Sequence, residues 1–99
     1  MTEKENSPLG RAWRSHLVGR DDTAIEEFRK LVAAAPDDID ALYGLGMALR
    51  SAGQGQEARE TFDKVLELLS KQEASDADDA NRIQMLRRMV QQQITLIKN

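Results

Sequence analysis

The sequence contains no cysteine and only one histidine, His16, among its 99 residues. The lack of cysteine excludes disulfides, thiolate metal sites and a cysteine nucleophile. A single histidine cannot build a multi-histidine metal centre, so we expect neither a metal ion nor a cofactor. Aromatic residues make up only 4% of the chain, so aliphatic side chains and alanine must form the core. Such a core favours helices over a β-sandwich.

Long apolar runs and an excess of positive charge are also missing. The formal net charge is −3, which argues against a nucleic acid as the main partner. The longest stretch without a charged residue is far too short to cross a membrane. Residues Met1–Asn6 lack the apolar core of a secretory signal. We therefore expect a cytoplasmic protein with no nucleic-acid partner and no membrane partner.

Five amphipathic segments with helical spacing account for most of the chain. Ser7 and Pro8 predict the start of the first helix, as an N-cap followed by a proline in the first turn. Gly19, Pro36 and Gly53 separate the segments that follow. No segment alternates long enough to indicate a strand, so the prediction is an all-α fold.

The second and fourth segments repeat each other at one constant offset in sequence, here called the repeat offset. The identical pairs are Gly19 and Gly53, Ala24 and Ala58, Glu26 and Glu60, Phe28 and Phe62, and Lys30 and Lys64. The small alanines allow two helices to cross closely, and the phenylalanines one turn later fill the space between neighbours. One such helix pair cannot bury its own apolar face, so consecutive pairs must stack.

These residues resemble the tetratricopeptide repeat family. The matching positions are Leu42, Leu45, Gly46 and Leu49 in a first helix, Ala24 with Phe28 and Ala58 with Phe62 in second helices, and Pro36 at the end of a repeat. The resemblance covers roughly residues 5–72 as two repeats, although Ser70 replaces the second closing proline. It implies a non-enzymatic adaptor or scaffold that binds a peptide or helix of another protein in a concave groove.

We therefore predict a tetratricopeptide-like right-handed superhelix of two helix-turn-helix repeats with a long C-terminal capping helix. The predicted divisions are a flexible tail at 1–7, two repeats at 8–72, a linker at 73–77 and the capping helix at 78–99.

The first helix departs from the family pattern. One repeat offset before Leu45 and Leu49 stand Arg11 and Ser15, where the family has apolar residues. The apolar stripe lies one residue further along and contains Leu9, Ala12, Trp13 and His16. Either this helix is rotated so that the stripe is buried, or it keeps its register and the stripe faces the concave groove.

A groove-facing first helix gives a candidate binding surface. The candidate partner-binding residues are Leu9, Trp13, His16, Tyr43, Met47 and Arg50. They suit an apolar helix or an extended peptide. Some family members hold a peptide carboxylate with an asparagine at the position of Gly44, and its absence here argues against that subtype. The chain's own last helix could also fill this groove.

The last helix carries two apolar stripes. One contains Ile83, Leu86, Val90, Ile94 and Ile97, and the other contains Met85, Met89 and Leu96. Either both stripes pack on one broad buried face, or the second stripe meets another chain. An exposed helix end would favour self-association through Met85, Met89, Ile94, Leu96 and Ile97. The alternative function is therefore a structural protein that forms homo-oligomers, or a small subunit of a larger complex.

The sequence offers no set of residues for catalysis. His16 has no nucleophile paired with it in sequence. The acidic clusters Asp37-Asp38-x-Asp40 and Asp76-x-Asp78-Asp79 lack the glycine and glutamate of a calcium loop, and helix capping explains both. Asp21 and Asp22 lie at a helix start, where the helix dipole favours them. We therefore expect a chain that is not an enzyme.

Overall fold

A computed structural model describes residues 7–97 of the chain. Within this range the chain forms five helices and no strand, which confirms the all-α prediction. The helices are α1 (Pro8–Leu17), α2 (Asp21–Ala34), α3 (Ile39–Ser51), α4 (Gly55–Lys71) and α5 (Ala77–Leu96). The predicted tail at 1–7, except Ser7, and the end of the capping helix after Ile97 lie outside the described residues. None of the five helices is both long enough and apolar enough to span a membrane.

Side-chain caps begin three of the helices. Ser7 accepts a hydrogen bond from a backbone N–H in the first turn of α1 at 3.0 Å. Asp38 does the same at the start of α3, and Asp76 at the start of α5 at 2.8 Å. Each cap satisfies an N–H group that the helix leaves unpaired, which is worth about 1 kcal/mol. The caps explain why the helices begin where the polar residues of the sequence predict.

The α1–α2 and α3–α4 turns have the same geometry. Gly19 has a φ of 83° and Gly53 a φ of 82°, in the left-handed region that glycine adopts without steric cost. In the first turn the backbone N–H of Arg20 donates to the carbonyl oxygen of Ser15 at 2.9 Å. In the second turn the N–H of Gln54 donates to the carbonyl oxygen of Leu49 at the same distance. Since Ser15 and Leu49 are separated by the repeat offset, α1 enters its turn in the same register as α3, as the groove-facing alternative requires.

Two glycines bring α3 against both neighbouring helices. A Cβ on Gly44 would overlap the ring of Phe28 in α2, and a Cβ on Gly46 would lie 2.6 Å from the ring of Phe62 in α4. No side chain fits at such distances, so the backbone of α3 touches both rings directly. The anchor residues of the repeat, Ala24, Phe28, Ala58 and Phe62, are all fully buried.

The helices form two layers. Each helix packs on the next one in the chain, and α1 also contacts α3, so α1 and α3 lie side by side in front of α2 and α4. Helix α5 packs on α4 and joins the front layer, where Nη1 of Arg50 in α3 donates to Oε1 of Gln93 in α5 at 3.1 Å. The last helix therefore takes the place next to α3 that the first helix of a third pair would occupy.

The buried side of α5 extends to the last described residue. Ile83, Val90 and Ile97 are buried and recur every second turn, so they face α4 along the whole helix. Self-association through an exposed helix end would need Ile94 and Ile97 to be accessible, but Ile97 is buried and Ile94 is half-buried. The reason is that the end of α5 lies against the α3–α4 turn, where Ile97 lines the same surface pocket as Gly53.

Candidate functional site

Side chains from α1, α3 and α5 surround a small cavity on the concave side of the front layer. Its volume is about 100 Å³, and it is mostly apolar. Its lining residues are Leu9 and Trp13 of α1, Ile39, Asp40 and Tyr43 of α3, Val65 of α4, and Leu86 and Val90 of α5. Each front helix contributes two apolar residues spaced by four, which lie one above the other on a helix face. We call this space and the surface around it the groove.

Two aromatic rings of the groove rest on the buried anchors of the repeat. The indole of Trp13 meets Phe28 edge-on, with ring centroids 5.3 Å apart and planes at 82°. The ring of Tyr43 lies 5.9 Å from Phe62 and 6.3 Å from Trp13. Both groove rings are half-buried, so each has one side fixed in the core and another side accessible. Such rings give a rigid apolar surface at low entropic cost.

Basic side chains mark one end of the groove. His16 and Arg50 are separated by the repeat offset, so they occupy equivalent positions near the ends of α1 and α3. The imidazole of His16 meets Trp13 edge-on at 5.8 Å, and its buried Nδ1 has no hydrogen-bond partner within residues 7–97. Arg50 is half-buried and bonded to the neutral amide of Gln93. Nowhere in the described range does a carboxylate come within ion-pair distance of Arg50.

An acidic side chain marks the other end. Asp40 lies in the first turn of α3, is exposed, and lines the cavity. Among the five ion pairs found between described residues, none involves this carboxylate. Asp40 and Arg50 lie at opposite ends of α3, which places them about 15 Å apart along the helix axis. The groove therefore carries opposite charges at its two ends.

The phenol of Tyr43 stays protonated over the physiological range. Burial raises the pKa of Tyr43 above its usual value, and the positive charge of Arg50 offsets part of this increase. Because the burial effect is the larger, the hydroxyl remains a neutral group that can both donate and accept a hydrogen bond.

The structure brings most of the predicted partner-binding residues together. Leu9, Trp13 and Tyr43 line the cavity, whereas His16 and Arg50 lie toward the basic end. Met47 is half-buried one turn after Tyr43 on the same face of α3. The groove is not filled by the last helix: α5 forms its third wall instead.

The sequence does not reveal this wall. The apolar stripe that contains Leu86 and Val90 predicts a buried face on the capping helix, but it does not show which helices that face meets. The only sequence signal for it is their spacing of four residues, which matches that of Leu9 and Trp13.

The second apolar stripe of α5 is exposed. Met85, Met89 and Leu96 keep 56%, 38% and 47% of their surface accessible. Successive residues of a helix are rotated by about 100°, so Leu86 lies between Val90 and Met89 around the circumference of α5. Since Leu86 faces the cavity, the stripe formed by these three residues, here called the methionine stripe, borders the groove on the α5 side.

The described residues offer no alternative metal centre. No group of three histidine, cysteine, aspartate or glutamate side chains within residues 7–97 is arranged to hold a metal ion.

Comparison with known proteins gives one family. A family model described as tetratricopeptide repeat matches residues 19–90, from the turn before α2 to Val90 in α5. The match includes most of α5, whereas the resemblance carried by the sequence motifs ends at residue 72. Neither a curated protein nor a solved structure matches the chain.

Proposed function

Because the chain belongs to the tetratricopeptide repeat family, we propose that it is a non-enzymatic adaptor or scaffold that binds a segment of a partner protein in the groove. Repeats of this family generally mediate protein–protein interaction. The observation that supports the groove as the binding surface is the cavity between α1, α3 and α5, with Trp13 and Tyr43 fixed at its edge.

The cavity gives the proposed interaction its energy. An apolar side chain that leaves water and enters such a space contributes about 1.5–3 kcal/mol. The half-buried faces of Trp13 and Tyr43 add further apolar area without a large loss of side-chain freedom. A short partner segment can therefore bind through one inserted side chain and the rings beside it.

Two substitutions of the same kind test the groove. Met47→Glu places a charge on the concave face of α3, whereas Leu17→Glu places it at the end of α1, where Leu17 is 78% exposed and does not line the cavity. Full-length chains carrying each change are used to capture proteins from the native host, and bound proteins are quantified by mass spectrometry. Circular dichroism confirms that each variant remains helical.

We expect a partner that binds the unchanged chain and the Leu17→Glu variant equally. Its binding to the Met47→Glu variant should be at least about tenfold weaker, because the glutamate must be desolvated against an apolar ligand. Equal capture by both variants would place the binding surface elsewhere.

A second candidate function is self-association through the methionine stripe. Met85, Met89 and Leu96 are exposed apolar side chains on one side of α5, and exposed apolar patches mark interaction sites. Light scattering on the unchanged chain and on a Met85→Lys/Met89→Lys variant separates this role from the first. A mass above 11.1 kDa that the variant abolishes supports assembly. A mass of one chain in both samples removes it.

A further inference from the structure

The groove has a direction, because its opposite ends carry opposite charges and its cavity lies near only one of them. We propose that it recognises a partner peptide with an aliphatic residue beside a lysine or arginine, followed about 15 Å away by an aspartate or glutamate. The inference rests on the proposed function and specifies the chemistry of the partner.

The cavity selects a single aliphatic side chain. Its volume of about 100 Å³ is roughly that of three liquid water molecules, which suits one branched side chain and not an aromatic pair. Asp40 is the one charged residue of its lining, which is otherwise mostly apolar. An aliphatic residue in the cavity therefore places its neighbour in the peptide close to that carboxylate.

Asp40 is placed to receive a cation. Its backbone N–H is bonded to the cap residue Asp38, but its exposed side chain makes no ion pair with any residue between 7 and 97. A lysine or arginine of the partner can lay its methylene groups over the apolar edge of the cavity and reach this carboxylate with its charged end.

Arg50 is placed to receive a carboxylate. The guanidinium has five N–H donors, and the amide oxygen of Gln93 takes only one of them in the contact described. The half-buried guanidinium now contacts a neutral acceptor. A carboxylate would bind it more strongly, because a hydrogen bond between charged groups is about twice as strong as one between neutral groups. The separation of about 15 Å between Asp40 and Arg50 corresponds to about four or five residues of extended chain.

Two hexapeptides of equal composition test the direction. The first is Lys-Leu-Ala-Gln-Ala-Glu and the second is Glu-Leu-Ala-Gln-Ala-Lys, both with blocked ends. Binding to the full chain is followed by the fluorescence of Trp13, which is the only tryptophan and lines the cavity. The second peptide cannot match the groove by reversing, because its leucine then lies far from the cavity. We expect the first peptide to bind about tenfold more tightly, with the difference shrinking in high salt.

A charge exchange in the protein gives the matched test. Asp40→Lys/Arg50→Glu keeps the net charge and should reverse the preference between the two peptides. The control Asp22→Lys/Arg88→Glu also keeps the net charge: Asp22 is exposed in the first turn of α2, and Arg88 is exposed about 200° around α5 from Leu86. The control should retain the preference of the unchanged chain.

The outcomes distinguish failure of the proposed binding direction from failure of the proposed function. Equal binding of both peptides, with loss of binding when leucine is replaced by serine, overturns the direction and leaves a binding groove. Failure of both peptides to bind overturns the inference, whereas the proposed function is judged separately by partner capture with the Met47→Glu variant.

Discussion

The indole of Trp13 meets the ring of Phe28 edge-on, with centroids 5.3 Å apart, so a residue of the groove rests directly on an anchor of the repeat. Phe28 is fully buried, while Trp13 is half-buried and lines the cavity. Binding surface and core are therefore continuous at this point. A change in Trp13 must affect both the stability of the chain and the shape of the groove.

Trp13→Ala should lower the free energy of unfolding by about 2–3 kcal/mol, below the full value for a buried aromatic residue because one side of the indole is exposed. Trp13→Phe should recover most of this loss, since it restores an edge contact with Phe28. Urea denaturation followed by circular dichroism measures both. Leu17→Ala, at an exposed position of the same helix, serves as the control and should change stability by less than about 0.5 kcal/mol. A loss below that size in Trp13→Ala would contradict the packing.

Gly44→Ala should also destabilise the chain, although alanine is the better helix former. The added Cβ would overlap the ring of Phe28, which is fully buried and cannot move freely. Overpacking of this kind costs about 1–3 kcal/mol, against a gain of about 1 kcal/mol in helix propensity. Since the added Cβ overlaps a fully buried ring, we place the cost at about 2–3 kcal/mol and expect a net loss of about 1–2 kcal/mol in urea denaturation.

The exposed substitution Ser51→Ala, near the end of the same helix, should leave the free energy of unfolding unchanged within about 0.5 kcal/mol. If Gly44→Ala were as stable as the unchanged chain or more stable, the close approach of α3 to Phe28 would be wrong.

The repeat could be predicted from the sequence because its constraints are local. Only glycine adopts the φ values at Gly19 and Gly53 without strain, and only a residue without a Cβ permits the close approach at Gly46. These requirements fix residue types at fixed spacing, and the constancy of the repeat offset makes them visible.

Helix α1 departs from the family pattern because of a side-chain contact that the sequence alone does not show. Ser15 stands at the position equivalent to Leu49, and its hydroxyl donates to Oε1 of Glu27 in α2 at 2.7 Å. A polar contact thus replaces an apolar one at the end of the stack. The sequence shows the polar residue at position 15 but not its partner on the next helix.

The position of α5 is a property of tertiary packing. Its buried stripe predicts a capping helix, but the angle at which it crosses α4 decides whether Leu86 faces solvent or the groove. That angle depends on contacts among several side chains of α3, α4 and α5, including the hydrogen bond between Arg50 and Gln93. No local pattern in the sequence encodes it.

The burial of Tyr43 predicts a loss of stability in alkaline solution. The pKa of Tyr43 is raised in the folded chain, whereas the unfolded chain releases its proton near pH 10. Below about pH 10 the phenol is neutral in both states and its contribution to stability is complete. As the pH rises through the folded pKa, the unfolded state gains from ionisation first, and the contribution is lost.

Tyr43→Phe isolates this effect, because it removes the ionisable group and keeps the ring. The free energy of unfolding of the unchanged chain should fall relative to that of the variant above about pH 10. Tyr43 is the only tyrosine, so phenolate absorbance reports its titration directly. A midpoint at or below the ordinary value would show that the charge of Arg50 outweighs burial.

Val90 and Met89 are neighbours on α5 with opposite environments, and they test whether this helix is an integral part of the fold. Val90 is 1% exposed and lines the cavity beside Val65, whereas Met89 is 38% exposed. Val90→Ala should lower the free energy of unfolding by about 2 kcal/mol, because it removes buried methyl groups and enlarges an existing cavity. Met89→Ala removes more atoms but should cost less than about 0.5 kcal/mol.

Both free energies are measured by urea denaturation. Equal effects of the two substitutions would mean that the side of α5 that contains Val90 does not pack on α4. The groove would then lack its third wall.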